Sequence, residues 1–207
     1  DASKEWIDEN ILGRNALPGV DPKSVCDTCF SPVRWLIDRG GKAWRSLILV
    51  SCISALSTKK YCDSQKYIAI GELLHVGTLV IDDVQDNSVV RRGGSCVHLE
   101  FGVPHAINSG TNCYFMAPRL AGIDEMADKE QLQMYRLYFD SLRAGHAGQG
   151  LDILGLDRWM PEAVKTGDVS KLWPQLRAIH VYKTGAPAGT LCRMASIIAG
   201  RYEADPE

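Results

Sequence analysis

Between Ser64 and Ser88 the chain places apolar side chains at Ile68, Leu74, Leu79 and Ile81, a helical period sustained too long for a strand. The same period predicts helices over Ala43–Leu56, Pro104–Ala117, Lys129–Leu154, Leu176–Lys183 and Pro187–Ala199. Strand-like alternation is essentially absent, so the expected fold class is an all-α bundle. Arg91-Arg92-Gly93-Gly94 reads as a loop, and Pro161 and Gly167 mark an irregular link between helices. No repeat, low-complexity tract or long linker divides the 207 residues, so 1–207 is expected to be one helical domain.

Composition narrows the function classes. With 45% hydrophobic and 23% charged residues and a net charge of −2, the chain reads as an ordinary globular protein. No global positive field is available for nucleic acid, and any anion site must be local. The longest apolar stretch, Ser46–Leu56, is shorter than the ~20 residues of a transmembrane helix. No basic-then-apolar leader opens the chain, and seven unframed cysteines suit a reducing compartment, so a cytoplasmic location is expected. The lone Cys26-x-x-Cys29 lacks the second pair a zinc site needs, and the cysteines are read as small core residues.

The most informative segment runs from Glu72 through His75 and Thr78 to Asp82-Asp83-Val-Gln-Asp86. On a helix Asp82 and Asp86 project from one face a turn apart, and an apolar run leads into them. Carboxylates so placed repel, the more so when desolvated, unless a cation joins them. Oxygen-only ligands favour Mg²⁺, which takes one or two carboxylates and completes its shell with water and phosphate oxygens. His75 lies two turns earlier on that face, ~10 Å away at ~1.5 Å per residue. Alone, such a pair is more often a solvated helix surface, and a lone histidine is more often simply packed. The flanks alter that balance. Gly40-Gly41-Lys42-Ala43-Trp44-Arg45 stands at a predicted helix start, where free N–H groups favour an anion, and Arg91-Arg92-Gly93 follows the aspartates.

In this order, Gly-Gly-Lys-x-x-Arg, His, Asp-Asp-x-x-Asp and Arg-Arg-Gly resemble the first half of the trans-isoprenyl diphosphate synthases, the polyprenyl synthetase family. Phe101-Gly-Val-Pro-His-Ala-Ile-Asn108 is similar to the corresponding segment of fungal geranylgeranyl diphosphate synthases. Further on, Gly148-Gln149-Gly-Leu-Asp152 and Lys183-Thr184-Gly185 resemble two later family elements, so the likeness covers roughly Gly40 to Gly200.

The resemblance implies a helical bundle around a central cavity and a transferase that joins isopentenyl diphosphate to an allylic diphosphate, dimethylallyl, geranyl or farnesyl. It makes Asp82 and Asp86 the Mg²⁺ ligands, supported by Asp83, and gives Arg91 and Lys183 the allylic diphosphate. Lys42, Arg45, His75 and Arg92 would bind isopentenyl diphosphate. Gln149 and Asp152 would line the reaction zone, with Thr184 beside Lys183. Allylic ionisation would leave a carbocation that the isopentenyl double bond attacks, the diphosphates held by Mg²⁺ and cationic side chains. Family members are usually homodimers. Small Gly77 and Thr78, where fifteen-carbon synthases often carry aromatic residues, point to a product of about C20 or more, unless Tyr114 or Phe115 closes the cavity.

The sequence also departs from the pattern. After Asp157 the remaining aspartates, Asp168 and Asp205, are unpaired, so the family's second aspartate-rich motif is missing and its C-terminal helices are expected to be absent. The stretch Arg158–Arg177, with Trp159 and Trp173, is longer than the pattern leads one to expect, and Ala43 and Trp44 are unusual inside their motif. Two alternatives follow: a class I terpene cyclase of the same fold, and a catalytically incomplete regulatory subunit of a prenyl synthase. The isopentenyl-type residues favour condensation over cyclisation, because a cyclase has little use for a second diphosphate pocket.

Overall fold

The structure, a computed structural model, describes residues 3–57 and 64–202. It is all-α apart from one two-stranded hairpin among the described residues. Contacts group the chain into two compact units, 3–50 with 64–126 and 51–57 with 127–202.

In the first unit a short helix α1 (Lys4–Ile7) runs into a π-helical turn, Asp8–Leu12, and α2 (Pro22–Cys29) follows. Asp21 caps α2, accepting from the Lys23 and Ser24 amides at 3.2 and 3.0 Å, and Pro22 needs no partner in the first turn. Next come α3 (Ser31–Ile37), α4 (Trp44–Leu56), whose first half belongs here, and α5 (Ile68–Gln85), the aspartate-bearing helix. The hairpin β1 (Val90–Arg91) and β2 (Gly94–Ser95) leads into α6 (Val97–Phe101) and α7 (Val103–Leu120). Helix α5 buries Ile70, Gly71, Val76, Gly77, Val80 and Asp83, a single stripe at helical spacing. Its partner α7 buries Ala106, Ser109, Gly110, Cys113, Met116 and Ala117. Val33 and Leu36 of α3 and Val97 of α6 complete this core.

Contact between α5 and α7 is unusually close at one point. A Cβ on Gly77 would lie 2.6 Å from the Gly110 carbonyl oxygen and 2.8 Å from Cys113 Cβ. Gly77 is therefore small for helix packing, while Thr78 faces outward and donates to the His75 carbonyl at 2.7 Å. Phe115 is 73% exposed, and Tyr114 is the half-buried aromatic beside Gly77.

The second unit is built on α8 (Asp128–Leu154), which buries Met134, Leu137, Tyr138, Ser141 and Gly148. Helices α9 (Met160–Thr166), α10 (Leu172–His180) and α11 (Ala186–Ile198) follow, the last burying Leu191, Met194, Ala195, Ile197 and Ile198. Two expectations need correction. The link between Pro161 and Gly167 is itself a helix, α9, with Pro161 in its first turn and Gly167 as its left-handed C-cap, so the two residues start and stop it. The segment Arg91–Gly94 is a paired hairpin rather than an open loop. Arg92 and Gly93 both take positive φ, 51° and 75°, as a tight two-residue turn between twisted strands demands. The cysteines divide as well. Cys96 and Cys113 are buried, as read, but Cys26, Cys29 and Cys52 are half-buried and Cys192 is exposed; Cys62 lies outside the described residues.

No helix among the described residues is long and apolar enough to cross a membrane.

Candidate anion pocket beside the aspartate helix

In the first unit Gly41, Lys42, Ala43, Trp44, Arg45, Glu72, His75, Leu79, Arg91 and Arg92 enclose a cavity of about 330 Å³. Three chain segments supply it for separate reasons. Positive φ at Gly40 (73°) and Ala43 (46°) turns the chain so that α4 starts at Trp44, with Lys42 just before its first turn. Arg45 lies over the Trp44 ring, 4.4 Å from its centroid. Helix α5 contributes Glu72, His75 and Leu79, spaced three and four apart and so on one face. The hairpin brings Arg91 and Arg92. Four of the sequence-predicted anion contacts, Lys42, Arg45, His75 and Arg92, thus share one cavity with Arg91.

The electrostatics are those of a pocket short of negative charge. Burial, then Arg45, Arg92 and Arg91, push His75 down to about 4, so it is a neutral imidazole near pH 7. Burial also pulls Arg45 below its ordinary value, opposed by Glu72. Glu72 accepts a hydrogen bond from Ser46 Oγ. An anion entering this cavity would relieve like-charge crowding among the arginines.

The three aspartates of α5 stand in different environments. Asp82 is 18% exposed, and its Oδ2 lies 3.8 Å from Arg91 Nη2. Asp86, the C-cap residue of α5, is exposed. Asp83 points into the protein at 1% exposure, where its Oδ1 accepts from Arg91 Nε at 2.8 Å and Nη2 at 2.5 Å. That carboxylate raises Arg91, and after burial it helps push the Cys96 thiol up to about 11. Asp83 therefore supports the site through Arg91.

In the second unit the two later motifs meet. Lys183 Nζ donates to Asp152 Oδ2 at 2.7 Å. Lys183 and Thr184 sit in a π-helical turn, Val181–Gly185, and a Cβ on Gly148 would lie 2.5 Å from the Lys183 amide nitrogen. The glycine of Gly-Gln-x-x-Asp is thus required by the backbone of the Lys-Thr turn, a widened helical turn of the kind that recurs at functional sites. Gln149, on the same helix, is half-buried.

Sequence reasoning missed Glu72, Leu79 and Arg39. The first two are readable as neighbours of His75 on its helix face. For Arg39 only its place before the two glycines offers any hint.

Fold and site together define an all-α protein with a basic pocket next to an aspartate-bearing helix end. The profile of the polyprenyl synthetase family matches residues 27–207, and the chain belongs to that family. It is 27% identical over 187 residues to a geranylgeranyl pyrophosphate synthase of Eremothecium gossypii, covering 83% of this chain and 57% of that protein. A copalyl diphosphate synthase of Talaromyces verruculosus is 38% identical over 93 residues, 45% of this chain and 9% of that protein. Among solved structures, a geranylgeranyl pyrophosphate synthase superposes with a TM-score of 0.74 at 27% identity, over 89% of this chain and 51% of that one. The archaeal synthetase of Geoglobus acetivorans superposes at 0.71 and 23% identity, over 87% and 58%, a likeness of fold. The chain spans less than two thirds of the length of each of these relatives.

Proposed function

We propose that the chain acts in a Mg²⁺-dependent prenyltransferase that condenses an allylic diphosphate with isopentenyl diphosphate to a polyprenyl diphosphate of about C20 or more. The observation that carries this reading is the cavity lined by Lys42, Arg45, His75, Arg91 and Arg92, beside Asp82. Four cationic side chains and a neutral imidazole donor suit a diphosphate, which offers many acceptor oxygens and several negative charges. That pocket, in addition to the aspartates, favours two diphosphate substrates over the single one a cyclase needs.

The residues present fit Mg²⁺ as a guest shared with substrate. Asp82 and Asp86 are oxygen ligands a turn apart, one partly buried and one exposed. No group of three or more metal-type side chains gathers among the described residues, so phosphate and water oxygens would complete the shell. When bound, the metal would neutralise charge on the allylic diphosphate as it departs. In this reading Arg91, fixed by Asp83, faces that diphosphate, and Lys42, Arg45, His75 and Arg92 anchor isopentenyl diphosphate. Lys183 and Thr184 bind a diphosphate from their own turn, and Gln149 and Asp152 orient them.

We assign both units to one prenyltransferase domain, since the family match runs through both. The working form is a homodimer: Val103, Ile107 and Phe115 leave an apolar stripe on α7, at 44, 45 and 73% exposure, that a second copy would cover. Free thiols at six described cysteines suit the cytoplasm.

The test pairs binding with turnover. The protein should bind isopentenyl diphosphate, and Arg45→Ala and Arg92→Ala should each weaken that binding by about tenfold or more, the scale of a lost charge-assisted bond. Asp82→Ala and Asp86→Ala should abolish the Mg²⁺-dependent part of allylic diphosphate binding. Unchanged affinities in all four variants would sink the reading. Product that forms only on adding a second polypeptide would mark a regulatory subunit, and hydrocarbon release from an allylic diphosphate alone would mark a cyclase.

A further inference from the structure

Arg39 lies just beyond α3, outside every motif so far assigned, yet it grips the hairpin that carries Arg91 and Arg92. Its Nη1 donates to the Arg91 carbonyl of one strand at 3.2 Å and to the Ser95 carbonyl of the other at 2.7 Å. The guanidinium sits over the Trp35 ring, 4.8 Å from the centroid, and Trp35 in turn meets Phe101 edge-on at 5.9 Å. The strand opposite is shaped to receive it. A Cβ on Gly94 would lie 2.6 Å from both Cζ and Nη1 of Arg39. Gly41 makes the same kind of room for Arg92, whose Nη2 would lie 2.9 Å from a Cβ there.

The hairpin needs such a grip. It has two residues per strand, and its turn places Arg92, a residue with a Cβ, at a φ of 51°. Left-handed backbone at a non-glycine residue persists only where the surroundings hold it. Asp83 fixes the Arg91 side chain, and Arg92 Nη1 donates to the Leu36 carbonyl at 3.3 Å. Neither contact ties the two strands to each other or sets the path of the backbone through the turn. Among the described residues, Arg39 is the side chain that bonds a carbonyl on each strand.

We propose that Arg39 is a positioning residue for the anion pocket, holding the Val90–Ser95 hairpin so that Arg92 stays aimed at the diphosphate. This rests on the reading of that pocket as a diphosphate site. Arg39 touches no ligand in this scheme and acts through Arg92.

Inorganic diphosphate is the probe, titrated calorimetrically into the parent, Arg39→Ala, Arg39→Lys, Arg92→Ala and the Arg39→Ala/Arg92→Ala double variant, with thermal unfolding of each recorded alongside. At metal sites, loss of a residue that orients a ligand costs ~10–100-fold, and the lower end of that range sets the scale for this pocket. Arg39→Ala should weaken diphosphate binding by about tenfold. Arg39→Lys, which keeps one charged donor and guards against a variant that fails to fold, should fall between. In the Arg92→Ala background, removing Arg39 should cost clearly less than in the parent, because only Arg91, whose side chain Asp83 holds independently, is left for it to act through. Equal binding by the parent and both Arg39 variants overturns the proposal. So does a tenfold loss that persists in the Arg92→Ala background, which would make Arg39 a general structural residue. A parent that binds no diphosphate overturns the pocket reading itself, and the two failures are told apart by the parent titration.

Discussion

Replacing Gly77 with alanine tests the closest approach in the first unit. The new methyl would sit 2.6 Å from the Gly110 carbonyl oxygen, 2.8 Å from Cys113 Cβ and 3.0 Å from Tyr114 Cε1. Two of those atoms are backbone or fixed to it, so relief requires α5 and α7 to part. Forcing a methyl into a packed core costs ~1–3 kcal/mol, and the gain in helix propensity from glycine to alanine returns ~1 kcal/mol. The net loss should be about 1 kcal/mol, a fall in Tm of about 2–4 °C for a chain of this size. Gly110→Ala is the internal control. Its methyl would meet Ile81 Cδ1 at 3.1 Å and Val80 Cγ1 at 3.2 Å, apolar side-chain atoms that can yield by a few tenths of an ångström, so propensity should offset most of the cost. Urea and thermal unfolding of both variants give the comparison. If Gly77→Ala melts at or above the parent, or Gly110→Ala proves the worse of the two, the packing account of Gly77 is wrong. An aromatic side chain at 77 should then be tolerated and act on product length alone; on the packing account it disrupts the helix pair first.

Asp83→Asn weakens the paired bonds to Arg91, which is 30% exposed and keeps Asp82 at 3.8 Å, and should cost ~1–3 kcal/mol in chemical denaturation, whereas Asp86→Asn on the exposed helix end should stay within ~0.5 kcal/mol; equal effects would refute the distinction drawn between the two carboxylates. His75 supplies the pH prediction. Its folded value of about 4 lies below its unfolded value near 6.5, so the unfolded chain takes up the proton first. Its contribution is present above pH 6.5 and is lost as pH falls toward 4, at most ~3 kcal/mol, and His75→Gln should flatten the stability profile in that window.

How much of this was written in the sequence depends on the range of the interaction involved. Helices α4, α5, α7, α8, α10 and α11 follow from apolar spacing, while α1, α2, α3 and α6 are too short for a period to show, and the pocket's cations were legible because motif order brought Lys42, Arg45, His75 and Arg92 under one heading. What the sequence concealed was set by contacts between distant segments. Pro161 and Gly167 look like breakers, and only Ala163 burying its side chain reveals that they delimit about two turns of helix. Arg91 reads as a ligand for a diphosphate, yet the inward direction of Asp83 makes it first a partner for a buried carboxylate.

The same distinction bears on why the Arg-Arg-Gly element has its form. Its glycine and its second arginine both adopt left-handed backbone, which the tight turn requires. Its first arginine is held at the side chain by Asp83 and at the carbonyl by Arg39, residues 8 and 52 positions away. The motif is therefore a shape before it is a charge: a short two-residue hairpin is pinned from two sides, and so placed Arg92 lines the cavity with Lys42 and Arg45. A lysine in place of Arg91 would keep the charge while losing the paired Nε and Nη2 bonds to Asp83. Arg91→Lys should therefore bind diphosphate more weakly than the parent in the same titration, because the charge is no longer held by Asp83, while Arg39 still grips the hairpin backbone.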